Sequence, residues 1–125
     1  MVSLATLWTN KNRDPALKSE RLIAALVACA QSPLGQKTPI LRRDVVETLG
    51  DLGDDAIVAA ARPFLRDADA GVRLRAIKIA GGYNDREALP ILKNIAQNDV
   101  AQSDEKSLQD AAKEAIASIE KGEAK

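Results

Sequence analysis

Clusters of carboxylates are the first residues in this sequence whose types and spacing could do chemistry. Asp51, Asp54 and Asp55 are close enough along the chain to form an acid pair, which general acid–base catalysis uses. Residues 67–71 (Asp-Ala-Asp-Ala-Gly) begin like a calcium loop, but they lack its third oxygen ligand, sixth-position glycine and closing glutamate. We therefore predict that these aspartates cap helices and bind no metal.

Other catalytic side chains are scarce. The chain has no histidine and a single cysteine, Cys29, which excludes histidine-based triads, cysteine metal clusters and an internal disulfide. Cys29 lies in an apolar run without a histidine to activate its thiol, so we predict that it packs in the core. Gly81-Gly82 has no strand before it and no Lys-Ser/Thr after it, which indicates a left-handed helix end and not a phosphate loop.

The elements that position these residues follow an internal repeat with a constant offset of 31 residues. Residues 41–54 (LRRDVVETLGDLGD) align with residues 72–85 (VRLRAIKIAGGYND), and looser copies lie at 108–119 and 19–30. Apolar residues recur three to four positions apart in each copy, which is the spacing of a helix with one dry face. A second helical segment follows each clear copy.

These patterns predict seven helices and no strands. Thr38 before Pro39, and Asp69 and Asp85 before later helices, are placed to act as N-caps. Pro63 falls inside one predicted helix and should bend it. The predicted helices span residues 2–9, 15–31, 39–51, 55–66, 70–82, 86–98 and 104–121.

The composition agrees with an all-helical chain. Aromatic residues make up only 2%, so the core must consist of Ala, Leu, Ile and Val, which suits closely packed helices. Lys+Arg and Asp+Glu both total 18, so net charge does not steer the chain toward nucleic acid or an acidic membrane. The apolar stretch at 22–30 is far shorter than the roughly 20 residues of a membrane helix, and no signal peptide is evident. We expect a cytoplasmic protein that does not bind membranes.

The two clear copies resemble the short HEAT repeat, a variant also found in phycobilisome lyases. Residues 67–80 contain its aspartate-rich turn, Val-Arg pair and alanine-rich helix, and residues 85–92 contain its Asp and Ala-Leu-Pro. The match is good over residues 41–99 and degenerate outside them. The resemblance implies an all-α fold, a short α-solenoid (an α-α superhelix) of about three and a half antiparallel helical hairpins. We expect one domain over residues 1–125, with a loose tail at 121–125.

The resemblance also implies roles for the helices that carry the Val-Arg pair. These helices are expected to form the inner, concave side of the stack. Arg42 and Arg73 are expected to pair with turn aspartates, such as Asp67 or Asp99, instead of binding an anionic partner.

Exposed charges on that inner side are the candidate binding residues. Asp44 and Glu47 occupy the repeat positions of Arg75 and Lys78, so the sign of the charge alternates, which suits a protein surface better than a polyanion. We predict a non-catalytic, cofactor-free protein-binding module or scaffold that uses Asp44, Glu47, Arg75, Lys78 and Glu114. Two alternatives remain: an accessory subunit of a bilin-lyase-like enzyme, which only the repeat type suggests, and a nucleic-acid-binding helical-repeat protein.

The N-terminal helices pose a separate question. Residues 22–30 are apolar on every side of their predicted helix and must therefore be buried on every side. Either residues 2–9, including Trp8, cover this helix as a lid, or Trp8, Leu22 and Leu26 contact a partner or a second copy in a homodimer. The sequence leaves both interpretations open.

Overall fold

Seven α-helices and two 3₁₀ turns form the described part of the computed structural model, which comprises residues 15–53, 55–101 and 107–123. The helices are α1 (Pro15–Gln31), α2 (Pro33–Lys37), α3 (Pro39–Asp51), α4 (Ile57–Ala61), α5 (Ala70–Gly82), α6 (Leu89–Asn98) and α7 (Leu108–Glu123). The 3₁₀ turns are Arg62–Arg66 and Arg86–Ala88. These ranges contain no β-strand, so the predicted all-α class is confirmed. The predicted helix at 2–9 lies outside the described residues.

Prolines and short polar side chains fix the helix starts. α1, α2 and α3 each begin at a proline, because the first helical position does not need the missing N–H. Ser32 caps α2, a helix that the sequence pattern does not predict, with its Oγ accepting a bond from the Gly35 amide at 3.0 Å. Asp69 caps α5 as predicted, and its carboxylate accepts a bond from the Val72 amide at 3.0 Å.

Two predicted caps are wrong in detail. Thr38 and Asp85 stand directly before a helix or 3₁₀ turn, but neither side chain accepts a capping bond. The Asp85 carboxylate instead accepts bonds from Arg62 on both oxygens, each at 2.8 Å.

Pro63 divides the helix predicted at 55–66. α4 ends at Ala61, and the chain continues as the 3₁₀ turn Arg62–Arg66. Proline has no N–H to donate to the carbonyl four residues earlier, so the regular α-helical bonding cannot continue through it. The sequence therefore located the break correctly, but the α-helix ends before Pro63 instead of bending through it.

The helices stack in two layers. α1, α3, α5 and α7 carry the sequence repeat, and each packs against the next. In the second layer the 3₁₀ turn Arg62–Arg66 packs on α5, and α6 packs on α7. The described residues thus form the predicted hairpins α3–α4 and α5–α6, the pair α1–α2, whose second helix was not predicted, and α7 as a closing helix, which is the predicted short solenoid.

Aliphatic side chains fill the space between the layers, as the low aromatic content predicts. Burial of each large one stabilises the fold by about 1.5–3 kcal/mol. The largest fully buried side chains are Leu49, Ile57, Leu65, Leu74, Ile77, Leu92, Leu108, Ile119, Val46 and Val72.

α5 and α7 approach each other closely at Gly81. A Cβ atom on Gly81 would lie 3.0 Å from both the Cα and the Cβ of Ala115. Gly81 and Gly82 are helical residues at the end of α5, so the predicted left-handed glycine end is wrong. The left-handed residue after α5 is Asn84, with φ of 55°. Asparagine is among the residues that tolerate this conformation best.

The outermost described helices, α1 and α7, are covered to different degrees. On α7, Leu108 and Ile119 are fully buried on the dry face that the sequence pattern predicts. On α1, Ile23 and Ala30 are buried, whereas Cys29 is exposed. The prediction that Cys29 packs in the core is wrong, because Cys29 lies off the stripe of Ile23, Leu26, Val27 and Ala30 that packs against the core.

Candidate binding surface

Arg42 and Arg73, which are related by the repeat, bind the turns between hairpins. Arg42 donates from Nε and Nη2 to the Asp67 carboxylate at 2.8 and 2.9 Å. Arg73 donates from the same two atoms to Asp99 at 2.8 and 3.3 Å. The pairing that the family resemblance implied is therefore confirmed. Both arginines are structural and are not presented to an anionic partner.

The third guanidinium nitrogen of each arginine extends this connection. Arg42 Nη1 donates to the main-chain carbonyls of Gly35 and Gln36, each at 2.8 Å. Arg73 Nη1 donates to the main-chain carbonyl of Asp67 at 2.7 Å. Asp67 therefore accepts bonds from both arginines, and successive turns form one continuous ladder from Gly35 to Asp99.

Two further arginines form ion pairs that sequence reasoning missed. Arg43 donates to Asp69 at 2.7 and 2.9 Å. Arg62 pairs with Asp85 and also with Glu87, at 3.0 Å. Arg43 and Asp69 lie 26 residues apart in the sequence, and Arg62 and Asp85 lie 23 residues apart. Neither pair recurs at the repeat-related positions, so the repeat pattern carries no signal for them.

These ion pairs shift the pKa values of three of their side chains, Asp69, Arg42 and Arg62. Hydrogen bonds from Arg43 lower the pKa of the Asp69 carboxyl below its ordinary value of 3.8, and the bond from the Val72 amide lowers it further. Hydrogen bonding to Asp67 raises the pKa of Arg42, and hydrogen bonding to Asp85 raises that of Arg62. These shifts favour the charged forms of Asp69, Arg42 and Arg62.

The five predicted binding residues lie on three helices of the first layer, and we call this set the charged surface. Asp44 and Glu47 are exposed on α3, and Glu47 Oε2 lies 3.9 Å from Arg75 Nε on α5. Arg75 is less accessible than predicted, with 21% of its side chain exposed. Its Nη1 donates to the Gly71 carbonyl of its own helix at 2.9 Å, which holds the guanidinium against α5.

Lys78 on α5 and Glu114 on α7 occupy the other half of the charged surface. Both are exposed, and both line a 220 Å³ cavity between their helices. Gly81 and Gly82 leave this cavity open because they have no side chains. The structure thus places Glu47 beside Arg75, and it places Lys78 and Glu114 together at a shallow groove.

The predicted N-terminal contact is only partly described. Trp8 lies outside the described residues. Leu22 is 38% exposed and Leu26 is half-buried, so apolar surface of α1 remains open within the described part. Leu34 and Ile40, at 67% and 65% exposed, add to the apolar surface of the N-terminal helices. The lid and the homodimer contact both stay predictions.

A 620 Å³ cavity, which we call the turn groove, was not predicted. It lies between the 3₁₀ turn Arg62–Arg66 and α6, and the Arg73–Asp99 pair forms part of its wall. Its residues come from separate segments, so no local pattern could reveal it. It is lined by Leu65, Arg66, Asp67, Arg73, Pro90, Ile91, Asn94, Ile95, Asn98, Asp99, Val100 and Ala101.

Neither a metal-binding cluster nor a helix that could span a membrane occurs in the described segments. No group of three or more His, Cys, Asp or Glu side chains within them could hold a metal ion. None of their helices has the length and apolar character needed to span a bilayer.

Comparison with known proteins gives one result. A family model for HEAT repeats matches residues 19–117, a range that extends beyond residues 41–99, where the resemblance is clearest. Neither the curated proteins nor the solved structures contain a significant match to the chain.

Proposed function

The chain belongs to the HEAT-repeat family, and we propose that it binds another protein through the charged surface of α3, α5 and α7. HEAT repeats generally serve as protein-interaction scaffolds. Stacked repeats give such proteins an extended surface to which several helices contribute. The finer proposal, that this surface makes the contact, is supported by its arrangement of charges.

The order of charge across the charged surface is the observation that carries the proposal. α3 presents the acids Asp44 and Glu47, α5 presents the bases Arg75 and Lys78, and α7 presents the acid Glu114. A partner with charges in the order basic, acidic, basic would match all three helices at once. Complementary patterns of this kind favour one partner over others because a wrong partner brings like charges together.

A polyanion fits the same surface poorly. Nucleic-acid affinity depends on lysines and arginines that neutralise successive phosphates. On the charged surface, acidic side chains stand on both sides of the basic helix, and Glu47 is 62% exposed. A phosphate backbone that follows the three helices would meet carboxylates at both ends.

We further propose that the chain is not itself a catalyst. Histidine is absent from the whole sequence, and its single cysteine lies on α1, the helix at the far side of the stack from α7. The aspartates of the turns are already bound by arginines, so structural contacts occupy their carboxylates.

Charge reversal at one exposed position tests the proposal. A partner isolated by crosslinking and affinity capture is titrated against the wild type, Lys78→Glu and a matched control, Lys93→Glu. Lys93 is exposed on α6, in the other layer. Lys78→Glu should weaken binding at least about tenfold, whereas Lys93→Glu should bind like the wild type. Equal affinity of all three proteins would contradict the proposed surface.

A further inference from the structure

We propose that the turn groove is a second binding site, which holds an extended peptide segment carrying an aliphatic side chain and a carboxylate. The groove lies between the 3₁₀ turn Arg62–Arg66 and α6, whereas the charged surface lies on α3, α5 and α7. The inference is therefore independent of the proposed function.

The aliphatic preference follows from the apolar part of the groove. Ile91 is only half-buried, although it belongs to the face of α6 that packs near the core. Val100 is 85% exposed at the end of the groove, the highest exposure of any large apolar side chain in the described residues. An aliphatic side chain placed between them would remove apolar surface of both from water.

The preference for an extended main chain follows from two amide side chains. Asn98 Nδ2 donates to Asn94 Oδ1 one turn earlier on α6. This bond does not use the side-chain Nδ2 of Asn94, which can donate, or the side-chain Oδ1 of Asn98, which can accept. The two side chains therefore offer a donor and an acceptor side by side. The N–H and C=O of a single residue in an extended chain point to the same edge and can bind such a pair.

The preference for a carboxylate follows from charge. The groove contains the carboxylates of Asp67 and Asp99, but Arg42 and Arg73 already bind both. Arg66 is exposed at the groove, and no hydrogen bond or ion pair engages its side chain within the described part of the chain. Among the described residues, Arg66 therefore leaves the groove with one positive charge that no carboxylate neutralises, and a guanidinium can bind a carboxylate with two parallel bonds.

The position of Arg66 sets where the carboxylate lies along the peptide. Arg66 and Ile91 also line an adjoining cavity of 350 Å³ together with Ala59. The two cavities form a path that runs past Arg66 to Val100. A peptide on this path would place its carboxylate at Arg66 and its aliphatic side chain toward Val100.

The preceding repeat has a related cavity of 430 Å³ that should not bind the same peptide. Pro63 and Phe64 stand there at the repeat positions of Asn94 and Ile95, and Ala68 follows Asp67 as Val100 follows Asp99. A proline side chain has neither a donor nor an acceptor, so the amide pair is missing. One peptide should therefore bind per chain.

Selection from a phage library of random decapeptides tests the inference on the full chain. Phage that bind the wild type are counter-selected against Arg66→Glu. The most enriched decapeptide is then titrated by fluorescence anisotropy. We expect enriched sequences to pair an acidic with an aliphatic residue a few positions apart and to bind one per chain. Arg66→Glu and Asn94→Ala should each weaken binding at least tenfold.

Two control variants separate this site from other surfaces. Lys93→Glu makes the same change of charge on α6 at a residue that does not line the groove, and Lys78→Glu alters the charged surface. Both should bind the decapeptide like the wild type. The inference is overturned if no sequence is enriched over the Arg66→Glu selection, if enriched sequences lack an acidic residue, or if Arg66→Glu binds as well as Lys93→Glu. A loss confined to Lys78→Glu would overturn it too, and would leave the proposed function standing.

Discussion

Asp67 connects two repeats through different atoms. Its carboxylate accepts both bonds from Arg42, and its main-chain carbonyl accepts the bond from Arg73. Bonds between a guanidinium and a carboxylate are stronger and more directional than neutral ones. Because each side chain of the Arg42–Asp67 pair is only 11% exposed, water could replace a missing partner only in part.

Removal of one member of that pair should be costly. Arg42→Ala leaves the Asp67 carboxylate and two turn carbonyls without their donor, so the free energy of unfolding should fall by about 3 kcal/mol. Arg42→Lys should lower the free energy of unfolding by less than Arg42→Ala does, but it should not match the wild type, since an ammonium cannot make two parallel bonds. Urea denaturation measures both, with Arg66→Ala as an exposed control expected to change stability by less than about 0.5 kcal/mol. If Arg42→Ala is as mild as that control, the ladder does not hold the repeats together.

The lowered pKa of Asp69 predicts acid sensitivity of known sign. A carboxyl whose pKa is lower in the folded state than in the unfolded state stabilises the fold above its unfolded pKa. That contribution is lost as the pH falls from about 4 through the folded pKa. Asp69→Asn keeps an N-cap but removes the charge, so its unfolding free energy should fall less between pH 5 and pH 3 than that of the wild type. Parallel pH profiles of the two proteins would refute this role.

Some of these residues could be predicted from sequence, and others could not. Arg42 and Arg73 stand at equivalent repeat positions, so the resemblance to a family assigned their partners correctly. The position related to Arg43 is Leu74, which is fully buried, and the position related to Arg62 is Lys93. A pair that occurs once leaves no periodic signal, and its geometry is set only when the turns come together.

At the scale of helices, the repeat position of Gly50 and Gly81 has a different role in each repeat. Gly50 and Gly81 are related by the repeat, but a Cβ on Gly50 would contact only the Ile79 side chain, at an ordinary 3.5 Å. On Gly81 it would contact the backbone of α7 at Ala115. The left-handed position after each helix is Gly53 or Asn84, also related by the repeat. Periodicity predicted these helices, but not which glycine marks a close approach and which a helix end.

Two adjacent glycines at the end of α5 provide a matched test of that close approach. Gly81→Ala should destabilise the fold by about 1–3 kcal/mol, because α7 must move away from the new Cβ. A Cβ on Gly82 meets nothing within 4 Å, so Gly82→Ala should raise stability by up to about 1 kcal/mol through its helix propensity. Thermal and urea unfolding of the two variants should therefore shift in opposite directions. Stabilisation by both would show that α7 is not held against Gly81.

At the scale of the whole molecule, the stack separates its two kinds of surface. The structural charges lie in the turns, where arginines and aspartates bind one another, while the charged surface lies along α3, α5 and α7. Four of the five residues of the charged surface could be assigned to exposed positions from the sequence, because they lie off the dry stripes. The turn groove could not be predicted, because it forms only when the 3₁₀ turn at Pro63 and α6 meet.

Carboxyl footprinting by mass spectrometry tests the central claim most directly, with the chain labelled alone and bound to its captured partner. Asp44, Glu47 and Glu114 are exposed carboxylates of the charged surface, whereas Glu87, 79% exposed, lies at the opposite layer. If the partner binds the charged surface, labelling of these three carboxylates should fall several-fold while that of Glu87 is unchanged. Protection of Glu87, with Asp44, Glu47 and Glu114 labelled as in the free chain, would contradict the account.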